Sequence, residues 1–425
     1  MKFLFITTDA PTDIATAFAG IQRRMAMFIE VLGQIGQLDI LLYVAPDIDC
    51  SPASIAKREH DLSKHWQVNI NLFQCPKFEP YPSVPLWQQQ VGGIFNFFQQ
   101  PPFIRTSETQ QIQALEACLD RQPDAIFVHR LHAMCPLLLT RRSLPPIFFD
   151  LDDIEHIKLI RSIEQPPVRI KTRLYYSHVP ALRQQECRAV QLSTRTFICS
   201  SRDRAYLEKR WNLPGITVIP NAISIPKSQP ITSELTMLLI GTYTYPPNLQ
   251  AANFLIEQVF PLIQEKAPHA KLIIAGKSPE KIRAYKKGFA GVEFAGFVND
   301  LDALYSRSRV ICCPIFFGGG TRVKMVEAAA YGKPIVATSI GAEGLELIPD
   351  EDFILRDSPS EFAEACVELF QNDALCSQLG ARARAKAIEH YDRAHVIALI
   401  RQVIQSSLKL SKDQKLLNMS NSLDD

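Results

Sequence analysis

Apolar and polar positions along the chain repeat one theme. Short apolar runs of strand length give way to loops, and then to stretches whose apolar residues recur every three or four positions. Lys2 to Thr8 reads as a buried strand, Asp9 to Gly20 as a turn-rich loop, about Ile21 to Gln34 as a helix and Leu38 to Val44 as a second strand. The pattern then predicts a helix over Glu108 to Arg121 and strands over Ala125 to Val128, Pro146 to Asp150 and Arg195 to Cys199. Ser200, Ser201 and Asp203 open a further helix. From Leu235 the theme restarts. Strands are predicted at Leu235 to Ile240, Lys271 to Ala275, Val292 to Phe294, Val310 to Cys313 and Pro334 to Ala337. Helices are predicted at Leu249 to Ile263, Lys281 to Tyr285, Leu301 to Ser306 and Val323 to Tyr331. Glu361 to Phe370, Asp373 to Tyr391 and Arg393 to Leu410 follow as helices. Such alternation builds open parallel sheets covered by helices. Two are expected, joined by a proline-bearing linker at Ile225 to Pro230.

Three stretches break the pattern. Cys50 to Phe103 is expected to be irregular, rich in proline and carrying Trp66, Phe73, Phe78, Tyr81, Trp87, Phe95, Phe97 and Phe98. Lys158 to Arg188 interleaves Lys158, Arg161, Arg169, Lys171, Arg173, Arg183 and Arg188 with apolar residues. That basic amphipathic surface is either a solvated helix face or a surface for an anionic membrane. The tail from Ser411 is polar and expected to be disordered.

With 425 residues, 47% hydrophobic and 21% charged, two or three domains with sizeable cores are expected. A net charge of +2 gives no footprint for nucleic acid. No signal peptide and no apolar run of membrane-spanning length is read. The ten cysteines form no Cys-x-x-Cys pair, so reduced buried thiols in a cytoplasmic protein are expected.

Candidate chemistry concentrates in Cys313 to Gly332. An apolar run ends at Gly318, Gly319 and Gly320, and a helix pattern starts at Thr321. Glycines let backbone approach a ligand closely, and a helix N-terminus presents unpaired N–H groups at its positive end. The expected occupant is phosphate, with Arg322 and Lys324 adding charge and Glu327 placed to accept from sugar hydroxyls. In the first half, Gly20, Arg23 and Arg24 are placed at the rim of a cleft, beyond the carboxyl end of the first strand. His129 and the carboxylates Asp150, Asp152 and Asp153 end strands on the same side. The three acids could hold a metal, act as a base or cap the next helix.

These residues together resemble GT-B glycosyltransferases, and within them the retaining family-4 (group 1) type. GGGTRVKMVEAAAYGKPIVATSIGAEGL, residues 318 to 345, is similar to that family's donor-site loop, helix and following strand. Ile240-Gly241-Thr242 with Pro247-Asn248, Ala275-Gly276, Gly296-Phe297-Val298, Ile219-Pro220-Asn221, Gly20-Ile21-Gln22 and His390-Tyr391-Asp392 resemble further signposts. The resemblance implies two Rossmann-like doubly wound parallel-sheet α/β domains facing a central cleft. These are an acceptor domain over 1–222 and a donor domain over 223–392. A helix over 393–410 returns to the first domain, and 411–425 is left as a disordered tail. It implies that Gly20, the amides of Gly318 to Thr321, Arg322 and Lys324 bind a donor diphosphate. Glu327 would bind the ribose, His129 would face the reacting sugar, and Asp152 and Asp153 would fall near the acceptor.

Two departures stand out. Gly319 occupies the place of the first glutamate of the family's paired-glutamate motif. No Arg and Lys pair follows the first strand of the second domain, where the chain reads Gly241-Thr242-Tyr243-Thr244-Tyr245-Pro246-Pro247. Arg322 and Lys324 are therefore expected to neutralise the diphosphate. The implied activity moves a sugar from a nucleotide-diphosphate-sugar donor to a glycan or lipid-linked acceptor, retaining configuration, without a metal or other cofactor. The expected location is the cytoplasm, with peripheral contact at the inner membrane face. A GT-B sugar-nucleotide epimerase and a non-catalytic nucleotide-sugar-binding partner are the alternatives.

Overall fold

The computed structural model describes residues 1–10, 20–76, 109–166 and 170–421. The predicted loop positions 11–19, the aromatics Phe78, Tyr81, Trp87, Phe95, Phe97 and Phe98, and Arg169 lie outside the described residues. The chain divides into two compact units: one of 1–14, 24–219 and 397–425, the other of 15–23 and 220–396.

The first unit holds a parallel sheet of order β3-β2-β1-β4-β5-β6-β7. Its strands are β1 (Lys2–Thr7), β2 (Gln37–Val44), β3 (Ile70–Pro76), β4 (Ala125–His129), β5 (Ile147–Asp152), β6 (Arg195–Ile198) and β7 (Ile216–Val218). Helices α1 (Gly20–Ile35), α2 (Pro52–Trp66), α3 (Thr109–Leu119), α4 (Leu131–Leu139), α5 (Glu155–Ile163), α6 (Ile170–Arg173), α7 (Val179–Leu192) and α8 (Ser201–Trp211) connect them. Helix α1 buries Met25, Phe28, Ile29 and Leu32, spaced to share one face. Phe28 sits 4.6 Å from the Phe127 ring and 5.4 Å from that of Phe197, so the helix is keyed onto strands β4 and β6 through aromatic contact. Ser200 opens α8 as expected. Its hydroxyl accepts from the Asp203 amide and donates to the Asp203 carboxylate.

The second unit holds a parallel sheet of order β10-β9-β8-β11-β12-β13. Its strands are β8 (Thr236–Ile240), β9 (Lys271–Ala275), β10 (Val292–Gly296), β11 (Val310–Cys313), β12 (Ile335–Ala337) and β13 (Ile354–Leu355). Helices α9 (Pro246–Phe254), α10 (Phe260–Lys266), α11 (Leu301–Ser306), α12 (Val323–Ala330), α13 (Pro359–Gln371) and α14 (Asp373–Tyr391) follow, and α15 (Arg393–Asn421) belongs to the first unit from Ile397 onward. Strands β8, β11 and β12 are wholly buried, which is why they read as uninterrupted apolar runs.

Several expectations need correction. The segment read as irregular contains α2 and β3. Ser51 caps α2 with Pro52 behind it, but among its residues only Leu62 is buried, so the apolar signal is faint. Lys281 to Tyr285 is not an α-helix; a single 3-10 turn at Pro279–Lys281 stands there. The predicted helix at Leu249 to Ile263 runs from Pro246 to Lys266 and contains a π-helical turn at Leu255–Val259. The last helix continues past Leu410 and the expected disordered tail to Asn421. The basic stretch 158–188 is shared among α5, α6, a 3-10 turn and α7, and Arg183 stacks 3.3 Å from the Trp211 ring centre. No helix among the described residues is long and apolar enough to cross a membrane.

Candidate functional site

In the second unit the strand order reverses between β8 and β11. Chains leaving the two strands diverge there and open a crevice at their carboxyl ends. The loop from β11 into α12 carries Gly318 at φ 117° and Gly320 at φ 63°, backbone that side-chain-bearing residues rarely adopt. A Cβ on Gly318 would stand 3.0 Å from the Tyr245 hydroxyl and 3.4 Å from Arg322 Nη2. The first backbone bond of α12 is donated by Met325 to the Arg322 carbonyl, which leaves the Val323 and Lys324 amides ahead of the helical ladder. Their N–H groups and the positive end of the helix face the same loop.

Arg322 is only 9% exposed. Its Nη1 donates to the Gly319 carbonyl, while Nε and Nη2 are buried without a partner. A buried cation with unmet donors is costly and calls for an anion. Lys324 Nζ donates to Asn248 Oδ1 at 2.8 Å, and burial, seconded by Arg322, brings its pKa down to about 8. The Thr321 hydroxyl accepts from Asn221 Nδ2 at 3.0 Å. Gly20 packs against the start of α12, where a Cβ would meet Val323 Cγ2 at 2.9 Å. The structure thus brings together Gly20, the three loop glycines, Thr321, Arg322 and Lys324. Glu327 is 7% exposed and accepts from Arg23 Nη1 at 2.5 Å. Nothing in the spacing of Arg23 and Glu327 announces that pair; only the fold joins them.

The first unit gathers a second charged group at the carboxyl ends of β4 and β5. Arg24, expected at a rim, is instead 1% exposed. Its Nε and Nη2 reach the Asp150 carboxylate at 2.6–3.0 Å, and Nη1 donates to the Ile219 carbonyl. Burial works against its charge, but Asp150 and Asp152 overcome that and hold the guanidinium protonated. Strand β5 shifts register between Asp150 and Asp152, and Asp152 takes φ 61°. The irregularity turns Asp152 toward Arg24, at 3.4 Å. Arg130, at φ 69°, bonds Glu155 at 3.0 Å. None of the three acids caps α5, whose N-cap is Ile154 without a side-chain bond. His129 is fully buried, 3.3 Å from the Thr7 hydroxyl. Burial first, then Arg130 and Arg24, keep its imidazole neutral. Asp152, Asp153 and Cys199 place one ligand atom each within 4.8 Å of one another, a set that could hold a cation. Arg24 already supplies positive charge beside it.

Asp152 is raised to about 7 by burial, then by Asp153. Its folded pKa lies above the unfolded value near 3.9. The folded state therefore holds the proton more tightly, and this contribution to stability is lost as pH rises from about 4 through 7. Asp152→Asn is expected to raise stability at pH 8 by roughly 2–3 kcal/mol more than it does at pH 5. Urea denaturation at both pH values checks this; destabilisation at pH 8 would show that an ionised Asp152 supports Arg24.

A cavity of about 450 Å³ lies at the carboxyl ends of β1, β2 and β3. Leu42, Val44, Leu62 and Leu72 form apolar walls, with Arg58 and Asp61 among its polar lining residues. The size suits a small organic group.

Comparisons with known proteins bear on the second unit and on the fold. Residues 234–372 match the family "Glycosyl transferases group 1". The phosphatidyl-myo-inositol mannosyltransferase of Mycobacterium leprae is 26% identical over 217 residues, 47% of this chain and 57% of that protein. The chain spans about half the length of the curated relatives it matches. Sucrose-phosphate synthase from Thermosynechococcus elongatus superposes with a TM-score of 0.65 at 16% identity, covering 95% of this chain and 98% of that one. The Anabaena protein HepE, solved with UDP-glucose, gives 0.60 at 14% identity, covering 96% and 100%. The fold is GT-B. The match to the group 1 glycosyl transferases lies within the second unit.

Proposed function

We propose that the protein moves a sugar from a nucleoside-diphosphate-sugar to a glycan or lipid-linked acceptor, with retention at the anomeric carbon. The observation that carries the donor half is Arg322, buried with two unmet donors beside the amides that open α12. Breaking the anomeric C–O bond leaves charge on a diphosphate. Preorganised amides and cations stabilise that charge as it develops, and this lowers the barrier. Arg322 and Lys324 supply the charge in this reading, so no metal is required. Retention rests on the family resemblance. The acceptor half is supported by the apolar cavity of the first unit and by the lipid named in the mannosyltransferase relative.

The test is incubation of the full chain with UDP- and GDP-sugars, with and without glycan and lipid-phosphate acceptors. Acceptor-dependent transfer, or slow donor hydrolysis, supports the reading, and isomerised donor without acceptor would replace it with epimerisation. The Arg23–Glu327 bond favours one competing idea, a binder whose ribose site is closed. Glu327→Ala is expected to lower turnover on the order of 10–100-fold, as loss of a hydrogen bond to a charged group does. A Glu327→Ala chain that binds and turns over donor as the parent does would remove Glu327 from the site. Peripheral membrane contact through the basic stretch is checked by salt-sensitive co-sedimentation with anionic vesicles.

A further inference from the structure

The loop after β8 forms the other lip of the crevice opposite the glycine loop, and it carries no cation from Gly241 to Leu249. We propose that Tyr245 is a direct ligand of the donor's diphosphate, acting with Arg322 across Gly318, and that Asn248 positions Lys324 toward the same anion. This rests on the donor reading above and names residues that the motif around Arg322 does not contain.

Three observations carry it. The Tyr245 hydroxyl and Arg322 Nη2 face the same glycine, within 3.0 and 3.4 Å of a single point beside its α-carbon. Any side chain at Gly318 would fill the approach to both. Arg322 keeps Nε and Nη2 buried and unpartnered there, two donors in the fork geometry that pairs with a phosphate oxygen.

Second, Tyr245 is the N-cap of α9, with Pro246 and Pro247 in the first two helical positions. Proline lacks an N–H, so this helix start offers fewer amide donors than that of α12. The residue before proline is held extended, and Tyr245 sits at φ −83°, ψ 117°. A hydroxyl fixed at this point replaces the missing backbone donors. The ring is 40% exposed, consistent with a side chain that lines an opening.

Third, Asn248 spans the two loops. Its Nδ2 donates to the Thr242 carbonyl at 3.1 Å and its Oδ1 accepts from Lys324 Nζ at 2.8 Å. A neutral acceptor aims the ammonium without cancelling its charge. A carboxylate there would neutralise Lys324 and repel phosphate. Burial brings the Lys324 pKa down to about 8, so the site sheds positive charge as pH rises through that value. Arg322 and Glu327 flank Lys324 on α12, and Cys313 faces it from β11.

The experiment is calorimetric titration of the full chain with inorganic pyrophosphate and with UDP between pH 6.5 and 9.5. Parent, Tyr245→Phe and Asn248→Ala chains are compared, each checked for an unchanged melting temperature. Tyr245→Phe is expected to weaken both ligands by roughly tenfold, the loss of one charge-assisted hydrogen bond. Binding to the parent is expected to fall as pH rises past about 8. Asn248→Ala is expected to shift that fall to lower pH, because Nζ loses its acceptor. Tyr245→Phe binding within twofold of the parent overturns the Tyr245 assignment while leaving the donor reading intact. An unmoved pH profile in Asn248→Ala overturns the positioning role. A parent chain that binds neither pyrophosphate nor any nucleoside diphosphate overturns both the inference and the donor reading.

Discussion

Arg322→Ala is expected to weaken nucleoside-diphosphate binding by about a hundredfold or more while leaving the melting temperature of the unliganded protein unchanged or raised. Removing one member of a buried charge pair costs on the order of 2–5 kcal/mol, and the bound diphosphate would be left against a site stripped of its strongest donor. Without ligand the sign reverses. Nε and Nη2 of Arg322 are buried and unmet, so truncation removes a penalty from the free protein. Few structural residues behave this way, since loss of packing alone lowers the melting temperature and the affinity together. Titration of UDP and a thermal melt on the same sample decide it. Unchanged affinity and turnover would end the assignment of diphosphate charge to this residue.

Arg24→Met has the largest expected effect on stability. The guanidinium uses Nε, Nη1 and Nη2 within the interior of the first unit, on Asp150 and on the Ile219 carbonyl. Asp150 is itself 0% exposed. Removing Arg24 alone leaves a buried, uncompensated carboxylate, at a cost of about 3–5 kcal/mol. Replacing both members, as Arg24→Met with Asp150→Leu, is expected to recover much of the loss, because a well-packed apolar pair does not need to be desolvated. Denaturant midpoints of the parent, the single and the double variant provide the measurement. A double variant no better than the single would mean that Arg24 acts mainly through Ile219 or Asp152.

The order of elements in the second unit is nearly all legible in the chain. Strands β8, β11 and β12 are buried on both faces, so their composition is uniform and their limits show. The glycines before α12 carry their own signal, because positive φ at Gly318 and Gly320 restricts the residue type. Helix α2 was hidden for the opposite reason. It shows solvent most of its surface, and with Leu62 alone buried there is little periodicity to read. The end of β5 is not legible in the chain, because a bulge has no compositional mark. Asp150 and Asp152 differ in environment through one register shift.

The amino-acid sequence by itself determined two parallel α/β sheets and a glycine loop running into a helix, since hydrophobic period and glycine stereochemistry are local properties. Which charge meets which was decided by tertiary structure alone. Arg23 and Arg24 are neighbours in the chain, yet one bonds Glu327 and the other Asp150. Successive residues on a helix point about 100° apart, and electrostatic partners are set by what each direction reaches after folding. The same cause hid Tyr245, whose place beside Gly318 exists only because β8 and β11 are adjacent in the sheet.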